Sequence, residues 1–160
     1  MQADTMRAPR ARFSIQCLDA AGNERWTETV DNLVLNAGKT EIVDKFLRAA
    51  SYTASWFLLL KGTGTIAAGD TLATHAGWTE LQPYAGSNRP AITWGTTSAG
   101  SNTSTTVAVS INATATVAGA GICNVQNGTS GVLYNAADFA TARNVVSGDT
   151  LNVTVTISVT

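Results

Sequence analysis

Apolar and polar residues alternate strictly over two stretches of this chain. In the first, Val107, Val109, Ile111, Ala113, Ala115 and Val117 share one face, while Thr106, Ser110, Asn112, Thr114 and Thr116 share the other. In the second, Leu151, Val153, Val155, Ile157 and Val159 face one way, and Asn152, Thr154, Thr156, Ser158 and Thr160 the other. A period of two belongs to a half-buried strand, and a slip of one residue would invert every side chain. Residues 105–117 and 150–159 are therefore predicted to be antiparallel strands of a core. Burying the five apolar side chains of the last strand contributes about 10 kcal/mol gross.

Weaker versions of the pattern fill the rest of the chain. Phe13, Ile15 and Cys17 alternate with Ser14 and Gln16, residues 19–23 (Asp-Ala-Ala-Gly-Asn) supply turn chemistry, and residues 26–30 read as the return strand of a hairpin. Further short strands are predicted at 32–36, 52–60, 91–94, 120–125, 132–134 and 144–146. The strand ending at Leu60 is buried on both faces there, and Asn127-Gly128 and Ser147-Gly148-Asp149 provide turns.

After Gly38 the period changes. Ile42, Val43, Phe46 and Leu47 fall on one helical face, with Glu41, Asp44, Lys45 and Arg48 opposite, which predicts a helix over 39–49 capped by Thr40. A helix this short needs a sheet to dock on. Residues 62–90 carry five glycines with Pro83 and Pro90 and no strong period, the signature of a packed functional loop or docking surface. Eight to ten short strands and one helix predict a mainly all-β fold: one antiparallel β-sandwich or jelly-roll-like domain over 13–160, preceded by an extended N-terminal arm, 1–12.

Composition sharpens this picture. Apolar residues make up 44% of the chain but charged ones only 13%, about half the usual share for a soluble domain. Threonine, serine, asparagine and glycine replace the missing charges, so the surface is polar yet nearly neutral. Residues 1–61 hold eight of the ten basic and seven of the eleven acidic residues, leaving Arg89, Arg143 and four acids for the remainder. A net charge of −1 supplies no field that would gather nucleic acid. The longest apolar run, Trp56 to Leu60, is far too short to cross a membrane, and Phe13 to Leu18 is too short for a secretory signal. Cys17 and Cys123 do not make a disulfide framework and read as two buried thiols, with a single bridge between them as the alternative.

Candidate chemistry is sparse. The lone His75 has no second histidine or cysteine near it in sequence, so no common zinc site is expected. Asp70 and Glu80 flank the central loop as a glycosidase pair would, but a turn cap for Asp70 and an ion pair for Glu80 explain them more simply. Gly62-Thr63-Gly64 lacks the remaining elements of a phosphate loop. No catalytic residue and no cofactor are predicted. Of the four tryptophans, Trp26, Trp56 and Trp94 read as core. Trp78, in a glycine-flanked loop, is the candidate platform for a partner or sugar, with plugging of the loop onto the sandwich as its structural alternative.

The stretch Asp70-Thr-Leu-Ala-Thr-His-Ala-Gly-Trp-Thr-Glu80, followed by Tyr84 and Arg89-Pro90, resembles small structural proteins of tailed bacteriophages. The resemblance continues in Asn32-Leu-Val-Leu-Asn-Ala-Gly38 and Ser147-Gly-Asp-Thr-Leu-Asn-Val153 and runs in order over about residues 13–160. The His-Ala-Gly-Trp stretch is its specific part. It implies a head cement or decoration protein, jelly-roll-like, that is assembled in the bacterial cytoplasm, sits on the capsid surface and locks neighbouring shell subunits. The partners it implies are the major capsid protein and copies of the chain itself, as a dimer or trimer, with neither nucleic acid nor membrane. The alternative is a tail- or fibre-associated module that binds host glycans. The candidate partner contacts are Arg7, Arg10 and Arg12 of the arm, which lies outside the resemblance, together with Trp78 and Arg89.

Overall fold

The computed structural model describes residues 9–48, 51, 55–86 and 88–159. Among the described residues eleven strands and one helix follow in the order β1 (Arg10–Leu18), β2 (Glu24–Asp31), β3 (Leu33–Val34), α1 (Asn36–Leu47), β4 (Trp56–Gly64), β5 (Trp78–Leu81), β6 (Ala91–Ile92), β7 (Ser101–Thr103), β8 (Val107–Ser110), β9 (Ala115–Cys123), β10 (Leu133–Val145) and β11 (Thr150–Ser158). They form two sheets in which every pairing is antiparallel. One has five strands in the order β2-β1-β11-β7, with β8 also on β11. The other has six in the order β3-β10-β9-β4-β5, with β6 also on β4. The expected sandwich is thus what the chain forms.

The main core lies between the sheets. Phe13, Ile15, Val153 and Val155 from one sheet meet Leu58, Leu60, Ile122 and Ala137 from the other. A second, smaller core covers the opposite face of the six-stranded sheet, where Leu59, Cys123 and Leu133 pack with Leu35, Leu72 and Trp78. Leu58, Leu59 and Leu60 are all fully buried, so the end of this strand is covered on both faces as its unbroken apolar run implies.

The long alternating run of residues 105–117 departs from expectation. It divides into β8 in one sheet and β9 in the other, with the crossing at 112–114, where the Asn112 and Ala113 N–H groups both donate to the Pro83 carbonyl. Conversely, the two short strands expected at 132–134 and 144–146 are the ends of the single long β10. Its register shifts between Asp138 and Arg143. This bend brings Phe139 against Trp26 and lets Arg143 pair with Glu28 of β2 at 3.0 Å.

The helix also begins earlier than the sequence indicates. Leu35 occupies the N-cap position without a side-chain bond, and Asn36 N–H is taken by the Ala68 carbonyl, so Thr40 lies inside the helix. Gly38 lies within its first turn, where a Cβ would overlap the Tyr134 carbonyl of β10, so the helix can pack this closely only with glycine there. Val43 and Leu47 are exposed rather than buried, while Glu41 and Lys45 are partly covered and paired at 3.4 Å.

Candidate functional site

The irregular segment between β4 and β6 is a packed hub. Asp70 accepts hydrogen bonds at one carboxylate oxygen from the Ala67 N–H (2.9 Å) and from the indole N–H of Trp78 (2.8 Å). His75 stacks on Trp78 with ring centroids 4.0 Å apart and places Nδ1 3.1 Å from the Trp78 carbonyl. Lys61, fully buried, donates to the Gly62 and Gly64 carbonyls at 3.0 and 2.6 Å and pairs with Asp138 at 2.7 Å. Arg89 is buried as well. Its Nε and Nη2 reach the two Glu80 oxygens at 2.7 Å each, and Nη1 donates to the Val125 and Gly128 carbonyls at 3.0 and 3.1 Å.

These contacts relocate most of the sequence-named partner residues. Trp78 is 4% exposed and plugs the loop onto the sheet, so it offers no platform. Arg89 is likewise a structural ion-pair residue rather than a surface contact. Arg10 and Arg12 belong to β1 and are paired in register with Ser158 and Thr156, so the strand starts inside the expected arm. Both are exposed, and Arg12 forms a bidentate pair with Asp31, at 2.8 and 3.1 Å. That partner holds the Asp31 carboxyl below its usual range. Arg7 lies outside the described residues. His75, Asp70 and Glu80 each have a structural partner. Among the described residues, no three His, Cys, Asp or Glu side chains gather as a metal site would require.

Two surfaces remain that present groups outward. The first is the outer face of the five-stranded sheet. Cross-strand register sets its side chains in rows: Thr29, Ser14 and Thr154 in one, Thr27, Gln16 and Asn152 in the next, and Asp31, Arg12, Thr156 and Thr103 in a third. The single ion pair of these rows stands at a corner, and hydroxyls and amides fill the remainder. A shallow depression of about 240 Å³ lies in it, with Glu28 also in its lining, and Gln16 donates to Glu24 at 2.9 Å at the edge of the face.

The second is a cleft of about 300 Å³ where the two sheets part, lined by Trp56, Trp94, Asn102, Ile122, Tyr134 and Ile157. Trp56 meets Tyr134 edge-on, with centroids 5.5 Å apart at 71°. Burial pushes the Tyr134 phenol up to about 12. Trp56 and Trp94 pack against the main core, as the sequence reading has them, and stay only partly buried here. Their only signal in the sequence is the number of tryptophans, since the lining comes from six separate segments.

The cysteines are free and lie in different cores. Burial, and then the neighbouring Asp149 carboxylate, pushes the Cys17 thiol up to about 11, and burial raises Cys123 too. Both are therefore expected to resist alkylation in the folded protein at mildly alkaline pH, and to react fully in denaturant. Because the folded state favours the neutral Cys17 thiol, its contribution to stability is complete below the ordinary thiol range and is lost as pH rises through about 11. Mass spectrometry after alkylation under each condition checks this. Rapid labelling of the native protein would contradict the burial. No known family model and no curated protein sequence matches the chain.

Proposed function

We propose that this protein is a non-catalytic structural component of a tailed-phage virion, a cement or decoration protein that docks on the capsid. Its docking surface is the outer face of the five-stranded sheet. The observation that carries this reading is the near-neutral grid centred on Ser14, Thr29 and Thr154, backed by a fully buried core. Uncharged hydroxyls and amides lose less on desolvation than charges do, and the strands beneath them are already ordered. A shell presents the same partner many times, so modest contacts gain from avidity, more so if the protein is itself a dimer or trimer. The resemblance over residues 13–160 supports the same reading.

Thr154→Asp tests it, because it sets a charge in the middle of the grid without touching the core. Intact protein is expected to decorate purified particles at copy numbers matching the many shell subunits, and the variant to bind at least tenfold more weakly. Copy numbers of a handful would favour the tail or fibre reading. Equal decoration by the two proteins would remove this face as the docking surface.

A further inference from the structure

The turn that joins β9 to β10 carries the one Asn-Gly pair of the chain, Asn127-Gly128, and every other asparagine precedes a residue with a side chain. An asparagine carboxamide is an electrophile toward the backbone nitrogen that follows it, and a five-membered imide closes when that nitrogen reaches Cγ. A β-carbon on the following residue crowds the approach, and glycine removes it. The pair is reactive on chemical grounds, and the fold decides whether the reaction can run.

Four features of the fold leave it free. Asn127 and Gly128 are both exposed, in a stretch outside every strand. Gly128 has φ 74°, and nothing lies within 4 Å of where a Cβ would stand, so no neighbour blocks the approach. Among the described residues no acceptor takes the Gly128 N–H, the nucleophile, so no hydrogen bond has to break before it attacks. The Asn127 side chain makes one described bond, from Nδ2 to Asn88 Oδ1 at 3.0 Å on the protein surface. A single bond of this kind contributes about 1 kcal/mol and holds the carboxamide only weakly.

The rest of the turn is gripped. Arg89 donates from its backbone N–H to the Gln126 carbonyl at 2.8 Å and from Nη1 to the Val125 and Gly128 carbonyls. Any change in the backbone between Val125 and Gly128 is therefore felt by a buried guanidinium.

We propose that Asn127 is a self-modification site that takes water as its co-substrate and ages to aspartate and isoaspartate in the folded protein. The Gly128 nitrogen attacks Asn127 Cγ: the N–Cγ bond forms, the Cγ–Nδ2 bond breaks, and ammonia leaves with the Gly128 amide proton. Water then adds to one of the two imide carbonyl carbons, and the nitrogen regains a proton as that C–N bond breaks. Opening at the side-chain carbonyl gives aspartate. Opening at the backbone carbonyl gives isoaspartate, in which the chain runs through Cβ. Both products add one negative charge to a chain whose net charge is −1. Only isoaspartate inserts a backbone atom between the carbonyls that Arg89 holds, and so loosens its grip. The attacking nitrogen reacts in its deprotonated form, so the first step quickens as pH rises.

The test holds the full-length folded protein for several days at physiological temperature, in mildly alkaline and in mildly acidic buffer. Mass spectrometry with fragmentation that separates isoaspartate from aspartate then maps the products. Asn127 is expected to gain about 1 Da, the difference between an amide and an acid, well before Asn88, Asn112 and Asn144, which are also exposed. The gain is expected to be slower in the acidic buffer. Asn127→Gln is expected to react at least about tenfold more slowly, because its imide ring would need six members. Isoaspartate-containing aged protein is expected to unfold at a lower denaturant midpoint. Fresh Asn127→Asp, which has the charge but the ordinary backbone, is expected to keep the parent's midpoint. The turn belongs to the six-stranded sheet, so the Thr154→Asp decoration experiment on the other sheet is independent of this one. An Asn127 that stays an amide while the urea-unfolded chain converts, or that converts no faster than Asn112, would overturn the proposal. Isoaspartate protein with the parent's midpoint would overturn its link to Arg89.

Discussion

Val155→Asp is expected to abolish soluble expression, whereas Thr154→Asp, one residue away, is expected to express and melt almost normally. Val155 is fully buried at the centre of β11, opposite Phe13 of β1, with the inner face of the other sheet above it. Its own N–H donates to Ser104 Oγ at 3.0 Å. A carboxylate there would lose its hydration and gain no cation, since the surrounding core is apolar. The cost is several kcal/mol, comparable with the roughly 5–15 kcal/mol that stabilises a whole domain. Thr154 points out into the neutral grid, where a charge stays hydrated and the change is expected to cost less than about 1 kcal/mol. Soluble yield and thermal melts of the two variants decide the matter. A well-folded Val155→Asp would mean that the period-two assignment of inner and outer faces is inverted.

That assignment was legible because one face of β11 is wet and the other dry. Where this condition fails, the sequence misleads. Val107, Val109, Ile111 and Val117 all reach one core while the chain passes from one sheet to the other, because both sheets turn their inner faces to it; only Ala113, exposed at the crossing, breaks the alternation. Periodicity therefore marks which side is inward but not which sheet owns it. The first half of β10, Leu133 to Ala137, is buried on both sides and shows no alternation at all, so a strand of thirteen residues looks like two short ones. The first turn of α1 docks on β10, with Leu35 N–H donating to the Tyr134 carbonyl and Gly38 lying against it, a contact between segments almost a hundred residues apart. No local propensity reports such a contact.

The surfaces were harder to read than the fold. Trp78 and Arg89 have the residue types and loop setting of partner contacts, yet each is buried by an acid eight or nine positions away, Asp70 and Glu80. Polar and aromatic residues in a glycine-rich loop suit a packed hub as well as an exposed one, and only the chain's path separates the two. Trp56 and Trp94 sit beside apolar strand residues and look like core; they do pack against it, at the edge of the sandwich where the sheets part.

Arg89→Ala is the variant that most directly separates a structural arginine from a partner-binding one, and it is expected to cost about 3–5 kcal/mol. The guanidinium makes four hydrogen bonds at once: two to Glu80, which β5 positions, and two to carbonyls of the 125–128 turn after β9. Removing it leaves the Glu80 carboxylate, 15% exposed, without its cation and two carbonyls without donors. Arg89→Lys is expected to recover little, because a single ammonium cannot match the paired fork and reach both carbonyls. The double change Glu80→Gln with Arg89→Met is expected to be milder than Arg89→Ala, since it removes both charges together and leaves no ion stranded. Denaturant midpoints rank these variants, and adding the single changes Glu80→Gln and Arg89→Met completes the cycle that gives the coupling. Should Arg89→Ala retain full stability and lose only particle binding, Arg89 would be a docking residue after all, and the loop hub would have to open when the protein meets its partner.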